Sequence, residues 1–150
     1  MLRSPLALAL LLVTLAGCGI LPGTEPAPTG PLVTLETRGG DCPDRTCGGT
    51  VLIERDGWIR DVAPRALERG RVPEDRRRAL EEAIRTTDFA ALQAQPFTGE
   101  CPVNVDGQEQ IYTFGTAAGP IRLASCEVDI DPAHPLFVAV ENAFASLSEP

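Results

Sequence analysis

GTVLIERDGWIRDV, residues 49–62, consists of two β-rich runs separated by a single Asp56-Gly57 pair. A DG pair between such runs is the strongest short-range hairpin signal. The stretch therefore reads as strand, turn, strand, with the strands at 49–55 and 58–62. Upstream, LVTLETR at 32–38 carries the same enrichment in β-formers. Residues 32–62 are thus expected to form an antiparallel meander of three strands. Trp58, opening the third run, is expected as a core or sheet-face aromatic.

Downstream the pattern changes period. Residues 63–72 read as a polar connection. Pro73 suits the first turn of a helix, with Glu74 and Asp75 near its positive end. EDRRRALEEAIRTT then places apolar residues at 79, 80, 83 and 84, one stripe at helical spacing. Arg76, Arg77 and Arg78 are followed by Glu81 and Glu82, which predicts a solvated, ion-paired helix face instead of a basic binding patch. Asp88 can cap a short turn, FAAL, that stops at Gln95-Pro96. FTGECPVNVDG (97–107) is loop-like. QIYTF (110–114) and PIRLAS (120–125) flank GTAAG as a second hairpin. Leu136, Val140, Phe144 and Leu147 form the apolar stripe of a last helix. The order β-β-β-α-β-β-α predicts an α+β fold: an antiparallel sheet of about five strands with two helices packed on one face. With only five Phe, one Trp and one Tyr available, its core must be mostly Leu, Val, Ile and Ala.

The N-terminus places the chain. MLRSPLALALLLVTLAGC has Arg3 ahead of an apolar run from Leu6 to Ala16. That run is shorter than the ~20 residues needed to cross a bilayer and fits the h-region of a secretory signal. Leu15-Ala16-Gly17-Cys18 resembles the lipobox of bacterial lipoproteins. The resemblance covers residues 1–18 alone. It implies a signal peptide at 1–17, a diacylglyceryl group on the Cys18 thiol, cleavage before Cys18 and a membrane anchored through lipid. Two or three acyl chains would hold firmly where one holds only marginally. GILPGTEPAPTGP, residues 19–31, reads as a Pro/Gly-rich linker. At ~3.1 Å per residue, it could hold the globular part, 32–150, up to roughly 40 Å from the bilayer. The expected location is the cell membrane or outer membrane, facing periplasm or exterior. Gly19 lacks the aspartate associated with inner-membrane retention, so in a diderm the resemblance points to the outer membrane.

The net charge is −8, and becomes −9 if Arg3 leaves with the signal. Such a chain repels nucleic acid and anionic headgroups, and no nucleic-acid partner is expected. Its basic residues are all arginine.

Once Cys18 is assigned to lipid, Cys42, Cys47, Cys101 and Cys126 remain. Four cysteines in an exported domain imply two disulfides with three possible pairings. Glycine pairs and Pro43-Asp44 around GGDCPDRTCGG (39–49) make a local Cys42–Cys47 bridge undemanding. Cys101 would then pair with Cys126, with crossed pairings as the alternatives. A redox role for CPDRTC is disfavoured, since redox pairs usually have two intervening residues at a helix N-terminus. Zinc is disfavoured because the single histidine, His134, cannot complete a four-ligand set. It is expected to sit exposed at the start of the last helix. Glu127, Asp129 and Asp131 alternate, but no calcium loop motif frames them.

No metal, cofactor or catalytic residue is expected from motifs, because none of the familiar nucleophile, phosphate or metal signatures occurs. The leading functional expectation is a noncatalytic envelope module that binds a protein or a small ligand. One alternative is a protease inhibitor presenting Arg45-Thr46 on a disulfide-clamped loop, where preorganisation lowers the cost of binding. Another is an enzyme of unfamiliar type. Tyr112 and Phe114 share a strand face. On the helix side they are core; if exposed together with Trp58, they would form a partner surface. Without that patch, the loops 39–49 and 97–107 are the remaining candidates.

Overall fold

The computed structural model describes residues 28–42 and 47–146. Cys18, the linker to residue 27, Arg45-Thr46 and Leu147 lie outside the described residues. The strands are β1 (Val33–Gly39), β2 (Gly49–Ile53), β3 (Trp58–Ala63), β4 (Leu67–Arg71), β5 (Gln108–Thr116) and β6 (Gly119–Ala124). The helices are α1 (Glu74–Thr86), α2 (Phe89–Gln93) and α3 (Pro135–Ala145), with a 3-10 turn at Pro102–Val105. One six-stranded antiparallel sheet runs in the order β4-β3-β2-β1-β5-β6. The α+β class follows the sequence reading.

The strand count does not. Residues 63–72, read as a connection, contain β4. Its residues Leu67, Glu68, Arg69 and Arg71 are all exposed. An edge strand that buries no side chain has no apolar alternation to betray it, and charged residues suit an edge because they discourage pairing with another chain.

The hairpin at Asp56-Gly57 forms as its sequence demands. Gly57 adopts φ +92°, its N–H donates to the Glu54 carbonyl (2.9 Å), and the Glu54 N–H donates to the Trp58 carbonyl (2.8 Å). This turn sets the register of β2 against β3 and so decides which side chains line up across the sheet. Ile59, Ile53, Val33, Phe114 and Ile121 form one continuous apolar row over five strands. Val51, Leu35, Tyr112 and Leu123 form the next row on that face. The intervening row, Arg60, Leu52, Thr34, Thr113 and Arg122, points to the other side and is largely polar.

The helices cover the apolar rows. Leu80 and Ile84 of α1, Phe89 and Leu92 of α2, and Leu136, Phe137, Val140 and Ala143 of α3 share one core with Val33, Ile53, Ile59, Tyr112, Phe114 and Leu123. Phe114 meets Phe89 at 5.4 Å, and Tyr112 meets Phe137 edge-on at 5.2 Å between ring centroids. The outer face of α1 is ion-paired as anticipated: Glu74 accepts from Arg77 and Arg78, Glu81 accepts from Arg77, and Arg85 pairs with Glu82. Arg76 reaches the Asn142 carbonyl on α3 at 3.3 Å. His134 is the N-cap of α3, half-buried instead of exposed, and its Nδ1 accepts from the Leu136 N–H (3.2 Å).

Both disulfides take the local pairing. Cys42 joins Cys47 with 5.4 Å between Cα atoms, and Cys101 joins Cys126 with 5.1 Å. The first closes the β1–β2 connection. The second ties the loop before β5 to the segment that leaves β6.

Candidate functional site

Five pieces of secondary structure converge at one end of the sheet. The start of β1, the exit from β2 and the β5–β6 hairpin meet the C-terminal half of α1 and the start of α2 there. Between them lies a cleft of about 650 Å³, within the ~300–1,000 Å³ range of small-molecule sites. Leu32, Ile84, Phe89 and Ile121 give it an apolar lining, with Ala117 and Ala118 at the hairpin tip. Arg55, Glu81, Arg85, Thr87 and Thr116 supply polar atoms. Pro28, where the described chain begins, also lines it.

Arg55 is the distinctive residue. Its Nη2 donates to the Gly115 carbonyl at 2.9 Å, and its own carbonyl accepts from Arg77 Nη1 at 3.2 Å. Its Nε is buried and has no hydrogen-bond partner among the described residues. Buried polar atoms are nearly always satisfied, so an unmet donor on a permanently charged group needs an explanation. The other polar groups of the cleft are engaged. Arg77 holds Glu81, Glu82 holds Arg85, and the hydroxyls of Thr87 and Thr116 donate to the carbonyls of Ala83 and Gly119 at 2.6 Å.

The sequence-singled residues are dispersed. Phe114 is fully buried and Tyr112 almost so, both beneath the helices. The Tyr112 hydroxyl donates to Gln110 Oε1 (2.7 Å), and burial, then the Glu141 charge, pushes its pKa above the ordinary phenol value. Trp58 precedes the core residue Ile59 and faces the opposite side, half-buried, with the Arg71 guanidinium 5.7 Å from its ring centroid. The condition for a shared aromatic surface is therefore not met. Arg45 and Cys18 lie outside the described residues. A smaller hollow of about 330 Å³ lies beside Cys47, between β1, Gly48 and Pro64. Among the described residues no group of three or more His, Cys, Asp or Glu side chains is placed to hold a metal ion. Glu127 instead pairs with Arg122 (2.7 Å), and Asp131 accepts from the Ala133 N–H (2.9 Å).

Sequence reading missed the cleft. Its one local signal was parity: Arg55 continues the i, i+2 phase of Val51 and Ile53, so a charged residue follows the core-facing positions of its strand.

Comparison of the chain with protein-family models, with curated proteins and with solved structures finds no match.

Proposed function

We propose that this chain is a lipid-tethered, noncatalytic binding module of the bacterial cell envelope, and that it takes a small ligand into the cleft beside Arg55. The observation that carries the ligand reading is the combination of an apolar cleft of about 650 Å³ with Arg55, a lining cation that pairs with no carboxylate among the described residues. Binding sites of this kind pair apolar walls with a few placed polar groups. The tether is supported by Leu15-Ala16-Gly17-Cys18 and by the Pro/Gly-rich residues that follow. Two disulfides suit an oxidising compartment.

Two experiments test the two halves. Labelled fatty acid should enter the wild-type protein and not Cys18→Ser. A soluble product cut elsewhere, unchanged by that substitution, removes the anchor. For the ligand, small apolar probes added to the mature chain should shift the methyl resonances of Ile84 and Ile121. Shifts confined to other residues refute the cleft as the site.

A further inference from the structure

We infer that the ligand is a monoanionic amphiphile, a single carboxylate on an apolar body, with its head group hydrogen-bonded to Arg55. This rests on the cleft being the binding site. The argument is one of elimination among the polar atoms that line it. Thr87 and Thr116 have already donated their hydroxyl protons to backbone carbonyls. Glu81 is held by Arg77, and two nitrogens of Arg85 are held by Glu82. Arg55 forms one hydrogen bond through its side chain, to a neutral carbonyl, and pairs with no carboxylate among the described residues. A neutral polyol or a sugar would find acceptors at the threonine oxygens but no hydroxyl proton left to receive, and it would leave Arg55 without a countercharge. A cation would meet Arg55 and Arg85. An anion finds in Arg55 the lining cation that has no carboxylate partner among the described residues. Arg55 lines the cleft and is half-buried, so its low-polarity surroundings strengthen an ion pair formed there.

The ligand's charge is limited by its surroundings. Arg85 is already paired with Glu82, so a second carboxylate on the ligand would find no further lining cation to pair with. The whole chain's charge of −8 opposes anions at long range, but that field is screened beyond a Debye length of ~8 Å, and the nearby guanidinium decides close to the site. Leu32, Ile84, Phe89 and Ile121 then select an apolar body over a bare inorganic anion.

Four eight-carbon probes separate the terms: octanoate, octan-1-ol, octylammonium and the dianion octanedioate. Each is titrated into the mature chain with Cys18→Ser, following the Ile84 and Ile121 methyl resonances. Octanoate should bind at least tenfold more tightly than the alcohol or the dianion, and octylammonium should bind weakest. Arg55→Met should cost octanoate at least tenfold and leave the alcohol unchanged, while Arg55→Lys should recover part of the loss. If alcohol and carboxylate bind equally in the wild-type chain, the anion assignment is overturned and the cleft remains a site. If no probe moves these methyls, the cleft reading itself falls. The wild-type series decides the matter even if Arg55→Met fails to fold.

Discussion

Arg55 and Gly115, sixty residues apart in sequence, are joined by a 2.9 Å hydrogen bond from Nη2 to the backbone carbonyl. The contact depends on position 115 lacking a side chain. A Cβ there would collide with the Pro31 carbonyl and lie 2.7 Å from Arg55 Nη2. Gly115→Ala should therefore destabilise the fold by about 1–3 kcal/mol, as overpacking usually does. It should also weaken octanoate binding, because the methyl displaces the guanidinium that the head group needs. Urea unfolding and the same titration check both. A variant of wild-type stability and affinity would show that the backbone accommodates the methyl freely.

Phe114 and Trp58 should respond very differently to truncation. Phe114 is fully buried against Phe89 and Tyr112, and Phe114→Ala should cost about 3–5 kcal/mol. Trp58 lies on the open face under Arg71, where a cation–π contact contributes only about 0.5–1 kcal/mol. Trp58→Ala should cost clearly less than Phe114→Ala in denaturant melts. Equal losses would mean that the polar face of the sheet is as tightly packed as the helix face.

The two disulfides should differ in weight. Chain-entropy arguments give roughly 2 kcal/mol for a bridge between residues five apart and roughly 3.5 kcal/mol for one between residues twenty-five apart. Replacing Cys101 and Cys126 by serine should lower the unfolding midpoint more than replacing Cys42 and Cys47. Guanidinium unfolding of the two double variants measures the order, and a reversed order contradicts the loop-length argument.

The one tyrosine of the chain offers an alkaline probe. Burial, then the Glu141 charge, favours the neutral phenol of Tyr112 in the folded state. Below the ordinary phenol pKa of about 10 both states keep the proton, and stability is unaffected. As pH rises beyond that value, the unfolded chain loses its proton first, so stability falls until the folded-state pKa is passed. The phenolate absorbance should therefore rise above pH 10 and track unfolding. Tyr112→Phe should flatten the alkaline decline. On the acid side, hydrogen bonds from Arg77 and Arg78 hold Glu74 down to about 2. The contribution of this exposed group is present above the usual carboxylate range and fades as pH falls toward that value.

Much of the architecture was legible because local chemistry and global burial agree. Asp56-Gly57 fixed one hairpin, and the parity of Val51, Ile53 and Ile59 fixed the buried face. The glycine pairs on either side of Cys42 and Cys47 made that local pairing easy to expect. The strand β4 was hidden because its residues answer to solvent and carry no alternation. The cleft was hidden for a different reason. Leu32, Arg55, Ile84, Phe89, Gly115 and Ile121 come together only through the strand order. No window of sequence contains more than a fragment of that site.

The strand order has a consequence for how the chain reaches this structure. β1 lies between β2 and β5, so residues 33–39 must pair with residues 108–116 before the middle of the sheet is closed. The first four strands can zip together from neighbouring turns, but that ribbon keeps β1 as a bare edge until the C-terminal third of the chain arrives. Closing so long a loop is slow relative to local hairpin formation, and an unpaired edge is where strands from two molecules meet. A chain stopped before Gln108 therefore retains the turns of the fold and loses the neighbour that completes its central strand. Such fragments should accumulate as aggregates, and the full-length chain should gain its solubility late, when β5 arrives.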